Sequence, residues 1–200
     1  MATNMLFIFL IPLLTTSGLQ IKEKKKDIHP QFVPAQEKLK WISKNSVIPS
    51  QLIPAGRENI AGLNTILYVA KAMHQDQWVP GEAGFDEKNG IFYFHLVHNG
   101  TEFSMEHFVL LLQPAGTTSW QKMNGSITHA HPVFGGADPD TGEANFICRS
   151  AVDTGNNGTM LLVGRAVPSS GKCHLFHGKE YILSSFELLV VNAYGLARNA

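Results

Sequence analysis

Three carboxylates crowd the stretch FGGADPDTGEANFICRS, residues 134–150. Asp138, Asp140 and Glu143 follow the pair Gly135-Gly136 and precede a strand-like run. Acids at alternating positions before a glycine invite comparison with a calcium loop. An EF-hand needs acidic side chains early in its loop, a glycine at position 6 and a bidentate Glu at position 12. Counted from Asp138, position 5 is Gly142 and position 12 is Arg149, so that reading fails. A plain β-turn accounts for Pro139, Asp140 and Gly142, which supply a fixed φ, a local hydrogen bond and a positive φ. It does not by itself demand an acid at position 138. The two glycines allow backbone or ligand to come close, and one carboxylate can accept from two neighbouring hydroxyls. The residues alone leave both readings open, a turn or the rim of a pocket for a polyhydroxyl ligand.

Other groups with chemical potential are fewer. His95-x-x-His98 recurs as His174-x-x-His177, which raises the question of zinc. On a strand, residues three apart face opposite sides, so neither pair can chelate one ion without a bulge. No His-Glu-x-x-His or Cys-x-x-Cys accompanies them. His129-x-His131 does share one face but has no third ligand, so no metal and no cofactor is expected. The nucleophile elbow, phosphate loop and dinucleotide fingerprint are all missing. A glycosidase needs two carboxylates on opposite sides of a cleft. Asp138, Asp140 and Glu143 share one turn, and only Glu180 or Glu187 could approach from elsewhere. A non-enzymatic protein is the expectation, with a glycan hydrolase as the remote alternative.

The elements that must position these residues read as β. Runs such as ILYVAKA, IFYFHLVH, FVLLLQ, NFICRSA, MLLVGRAV and SSFELLVVN are rich in β-branched and aromatic residues and are separated by Gly, Asn and Pro. Sixteen Lys and Arg against sixteen Asp and Glu leave no formal charge, which argues against a nucleic-acid partner. An apolar run from Met5 to Leu14 within residues 1–18 reads as a secretory signal peptide and is too short to span a bilayer. A secreted, extracellular chain without membrane insertion is expected. Three glycosylation triplets, at Asn99, Asn124 and Asn157, all have glycine in the middle and agree with it.

The chain also repeats itself. Trp41 and Trp120 stand 79 residues apart, as do His95 and His174. LYVAKA (67–72) answers NFICRSA (145–151), and HFVLLLQ (107–113) answers SFELLVV (185–191). The expected organisation is a signal peptide (1–18), a charged linker (19–40), a first repeat (41–113), a linker (114–119), a second repeat (120–192) and a tail (193–200). Two copies are expected to pack as a pseudo-twofold, sandwich- or barrel-like pair. Trp41 and Trp120 read as core plugs. Cys148 and Cys173 match Ala70 and Phe94 of the first copy, so both are gained together. That suits a disulfide in an oxidising compartment, with two buried free thiols as the alternative.

These landmarks resemble the DM9 (DM-nine) repeat family. The second copy carries Trp120, Gly135-Gly136-x-Asp138, Phe146-Ile147-Cys148-Arg149, Gly178-Lys179-Glu180 and Phe186-Glu187-Leu188-Leu189-Val190. The first copy looks like a diverged member. The resemblance implies a compact β-rich fold of two intertwined repeats. Some members are mannose-binding lectins and others join the module to a pore-forming domain. In the lectins, the Asp of the G-G-x-D turn and the Lys of a later P-G-K motif touch the sugar. Carried over, these fall on Asp138 and on Arg165, which presents a planar fork where the family has a lysine. Lys172, Lys179 and Glu180 are expected at the rim. The first copy has Glu58 and Glu82 at the matching positions, two acids where an acid–base pair belongs, and is expected to be degenerate. The resemblance thus implies a lectin for mannose-type glycans on cell or microbial surfaces, in the setting of innate immunity. One working site per chain binds weakly, so a homodimer is expected. The rival is an interaction or structural module that has kept the fold and lost the sugar.

Overall fold

The β-rich runs become strands, and the turn residues between them set the hairpins. The computed structural model describes residues 39–192, apart from 53, 61–62, 113–115, 128–130 and 156–157. The expected signal peptide, nearly all of the first linker, the tail, His129 and Asn157 lie outside the described residues. Within them, β1 (Lys40–Ser43), β2 (Pro54–Ile60), β3 (Leu63–His74), β4 (Gln77–Asp86), β5 (Ile91–His98), β6 (Thr101–Ser104) and β7 (Phe108–Leu112) form a first half. The second half is β8 (Thr118–Asn124), β9 (Phe134–Ala137), β10 (Ala144–Asp153), β11 (Thr159–Val167), β12 (Lys172–Phe176), β13 (Glu180–Leu183) and β14 (Ser185–Val191). Two single 3-10 turns, Lys44–Ser46 and Pro49–Gln51, complete the described elements. The protein is all-β.

The two halves have the same pairing diagram. In the first, β3 pairs with β2, β4 and β7, β7 also holds β1, and β5 joins β4 to β6. In the second, β10 pairs with β9, β11 and β14, β14 also holds β8, and β12 joins β11 to β13. All these pairs are antiparallel. A bridge between Leu161 of β11 and Arg57 of β2 links the halves into one hydrogen-bonded network.

The halves touch through bare backbone. Gly56 of β2 lies against the Leu161 carbonyl of β11, and Gly136 of β9 lies against the Trp78 carbonyl of β4. A Cβ at either position would overlap that oxygen. Gly136 also has a φ of 145°, which only glycine adopts without strain. The close approach that the Gly135-Gly136 pair permits is therefore to the other half, Gly136 to the Trp78 backbone and Gly135 to the Pro80 ring.

Packing follows this exchange. One cluster gathers Ile147, Leu162, Leu175 and Leu188 around Cys148 and Cys173, and also takes in Leu67, Val69 and Leu111 from the first half. A second gathers Val79, Phe94, Leu96, Phe108 and Leu110. Cys148 and Cys173 form a disulfide between β10 and β12, with Cα atoms 6.0 Å apart. Closing a loop of this size is worth about 3 kcal/mol. The first half fills the matching space with the Phe94 ring, stacked 5.1 Å from Phe108. Trp41 and Trp120 are partly buried at the margin of the core rather than plugs within it. Each lies under a cation, Lys71 Nζ at 4.1 Å from the Trp41 ring and the Arg149 guanidinium at 4.2 Å from Trp120.

Gly136→Ala should lower stability by about 3 kcal/mol or more, because neither φ nor space allows a methyl group. Gly142→Ala, at a φ of +70° but with nothing within 4 Å, should cost only about 1–2 kcal/mol. Urea denaturation of both variants checks the contrast, and equal losses would mean that contact between the halves is not the cause.

Candidate functional site

Asp138 leaves β9 and opens the tight turn that the sequence singled out. Its backbone N–H donates to Glu143 O at 2.7 Å, and its carbonyl accepts from Gly142 N at 2.8 Å. Its Oδ1 accepts from Asp140 N at 3.1 Å, Thr141 N at 3.0 Å and Thr141 Oγ1 at 3.1 Å. The expectation that the turn has no need of an acid at 138 is overturned, since this carboxylate ties three donors of the turn together. Glu143 is occupied as well, accepting from Ser169 N at 2.5 Å and Ser169 Oγ at 2.7 Å.

Oδ2 of Asp138 faces the other way and accepts from Arg165 Nη1 at 2.7 Å. Arg165 stands on β11, opposite Ile147 on one side and His174 on the other. Its side chain is 6% exposed against 15% for Asp138, so the pair is turned inward. Burial pushes the Asp138 carboxyl up, but the bonds from Arg165 and Thr141 outweigh it and hold it below the ordinary range.

The first half contributes the third side of this corner. β5 and β6 are joined by Asn99-Gly100, both at positive φ, as a two-residue hairpin turn requires. The turn brings Asn99 Nδ2 to 2.8 Å from Asp140 Oδ2. His98, buried at the end of β5, has Nε2 3.3 Å from Asp140 Oδ2 and 3.9 Å from Asp138 Oδ2.

The matching corner has opposite chemistry. Glu58 on β2 and Glu82 on β4 are both buried, and His177 of the second half sits with Nδ1 3.7 Å from Glu58 Oε2. Tyr93 Oη donates to Glu58 Oε1 at 2.7 Å. Glu82 Oε2 accepts from Val163 N of β11 at 3.2 Å. Burial raises the Glu82 carboxyl well above its ordinary value and the charge of Glu58 adds to this, with the Val163 bond opposing.

The strand register places Glu58 where Asp138 stands, and Glu82 opposite His95 as Arg165 is opposite His174. The remaining rim residues are more scattered. Glu180 bonds His174 Nδ1 at 2.8 Å. Lys172 is exposed and opposite Val167, and Lys179 Nζ lies 5.2 Å from the Tyr181 ring. Asn99 and Asn124 are exposed. His98, His177 and Tyr93 were missed as site residues. The recurrence of His98 as His177 was the available signal, but the acid each one faces belongs to the opposite half.

A family model for the DM9 repeat matches residues 63–157. The chain carries a DM9 repeat over that span. The matched span of this DM9 protein includes Glu82, His98, Asp138 and Asp140 and excludes Glu58 and Arg165. No curated protein matches the chain. Among solved structures, the nematode sperm cell motility protein MFP2B is similar over 77% of this chain and 44% of that one, at 15% identity and a TM-score of 0.46. The chain thus spans less than half of that protein's length.

Glu82 gives a pH prediction for the DM9 fold. The folded state holds a proton that the unfolded chain, with a carboxyl near 4.5, gives up. Stability should therefore fall as pH rises from about 4.5 through the raised folded value. Glu82→Gln, which keeps an acceptor for Val163 N, should remove that fall and add ~1–2 kcal/mol at neutral pH. Melting curves from pH 4 to pH 8 would refute this if wild type and variant ran parallel.

Proposed function

We propose that this DM9 protein is a secreted, non-enzymatic carbohydrate-binding protein for mannose-type glycans, with its site at the Asp138 turn. The observation that carries the reading is the contact between Asp138 and Arg165 at 2.7 Å. It joins the acid and the base that the lectins of the family use, with Arg in place of Lys. A carboxylate offers about four lone-pair positions. Oδ1 of Asp138 is taken up by the turn, whereas Oδ2 has one direct hydrogen bond, from Arg165, and keeps room for a sugar hydroxyl. Half-exposed Asp140 and exposed Asn99 supply an outward acceptor and donor beside it. The corner at Glu58 and Glu82 lacks the cationic donor and is assigned no sugar. The apolar amino-terminal run and the Cys148–Cys173 bridge support secretion.

A second reading, a fold-keeping interaction module without sugar, is favoured by the low exposure of the Asp138–Arg165 pair. A glycan array separates the two. Asp138→Ala would leave Arg165 buried without its partner, so the informative variants are Asp138→Asn and Arg165→Lys, each checked for an unchanged circular dichroism spectrum. Mannose-type binding that falls about tenfold or more in Asp138→Asn and survives in Arg165→Lys supports the lectin. No glycan binding by folded wild type supports the interaction module.

A further inference from the structure

The corner between the halves contains a nitrogen for which the sugar reading has no use. His98 is 4% exposed, and its Nε2 is buried without a hydrogen bond. It nevertheless points at two carboxylates, Asp140 Oδ2 at 3.3 Å and Asp138 Oδ2 at 3.9 Å, and the three donor atoms all lie within 4.8 Å of one another. A buried polar atom without a partner is uncommon in a folded protein and calls for an explanation. A proton on Nε2 would find no hydrogen-bond geometry to either carboxylate. A cation placed among the three atoms would satisfy all of them at once.

The donor set indicates which cation. The two separations from His98 Nε2, 3.3 and 3.9 Å, suit an ion with bonds of about 2.0–2.2 Å to nitrogen and carboxylate oxygen. One imidazole with two carboxylates is a nitrogen–oxygen set suited to zinc and its neighbours, whereas calcium takes six to eight oxygens. Asp140 is 54% exposed, which gives an ion a route in and leaves positions open to water. Asn99, bonded to Asp140 through its amide, presents its oxygen to the same place if the amide is turned over. Among the described residues, this is the one group of three or more potential ligands that comes together. The three ligands come from both halves, which is why no spacing along a single strand revealed them.

We propose that His98, Asp138 and Asp140 form a binding site for a divalent transition-metal ion of the zinc type. The proposal does not rest on sugar binding. Its natural competitor is the Arg165 guanidinium, which shares Asp138 Oδ2 and carries a like charge. Removing that charge strengthens the ion's hold.

The test is calorimetric titration of the full folded chain, first stripped with chelator, using zinc chloride and, in parallel, calcium chloride. The chain has nine histidines, so the difference between wild type and variants isolates the site. One saturable zinc per wild-type chain is expected. Asp140→Asn, at an exposed position, should weaken it by about tenfold or more, and His98→Gln should abolish it. Arg165→Met should tighten it. No saturable zinc binding by wild type, a preference for calcium, or zinc binding unchanged in Asp140→Asn would overturn the proposal. So would an Arg165→Met variant, folded by circular dichroism, that binds zinc no more tightly than wild type.

Discussion

Everything at the two corners depends on one steric constraint, the passage of each half's glycine strand across the backbone of the other. Gly136 lies on the Trp78 carbonyl and Gly56 on the Leu161 carbonyl. Backbone can come this near only where no Cβ stands between. Because the residues two positions on are Asp138 and Glu58, the exchange delivers an acid from each half to a histidine of the other. His98 meets Asp138 and Asp140, and His177 meets Glu58. Neither half alone contains either corner.

Shared geometry does not make shared chemistry. At one corner the partly buried acid has Arg165, and the charges cancel across 2.7 Å. Two charges taken out of water are tolerable only when paired and hydrogen-bonded, and the turn donors to Asp138 complete that requirement. At the other corner the basic position is Glu82, beside Glu58. Two buried carboxylates cannot both ionise cheaply, and burial with Glu58 beside it raises the Glu82 carboxyl well above its ordinary value. The same backbone thus holds an ion pair on one side and a pair of buried acids on the other. Arg165 is held to the acidic turn through Asp138, and Glu82 to β11 of the other half through Val163 N.

Much of this was legible in the amino-acid order. Runs rich in β-branched and aromatic residues, divided by Gly, Asn and Pro, gave the all-β class because such side chains fit a pleated, half-buried surface. Carrying the family motif over residue by residue put Glu58 opposite Asp138, and Glu82 opposite Arg165, as the register has them. What was not legible is what crosses between halves. The bond from Asn99 to Asp140 spans 41 residues, and no local pattern encodes it. The histidines were judged against neighbours on their own strands, where residues three apart diverge. The partner of Gly136 and the bonds from Asp138 to its own turn depend equally on where the chain returns.

At the acidic turn the two roles, structural turn and pocket rim, merge. Asp138 divides its carboxylate, one oxygen holding the turn and the other facing the gap between halves. A turn that fixes the carboxylate also spares it the reorganisation that a ligand would otherwise demand. The cost is availability, since the outward lone pair is shared with Arg165 and overlooked by His98. A ligand entering here therefore meets a rigid, partly neutralised acid, with Asp140 and Asn99 as the accessible groups in front of it. Selectivity at such a corner comes from what can share Oδ2 with a guanidinium. A neutral hydroxyl does so without electrostatic conflict, and a metal ion does so only by drawing on the second carboxylate at Asp140.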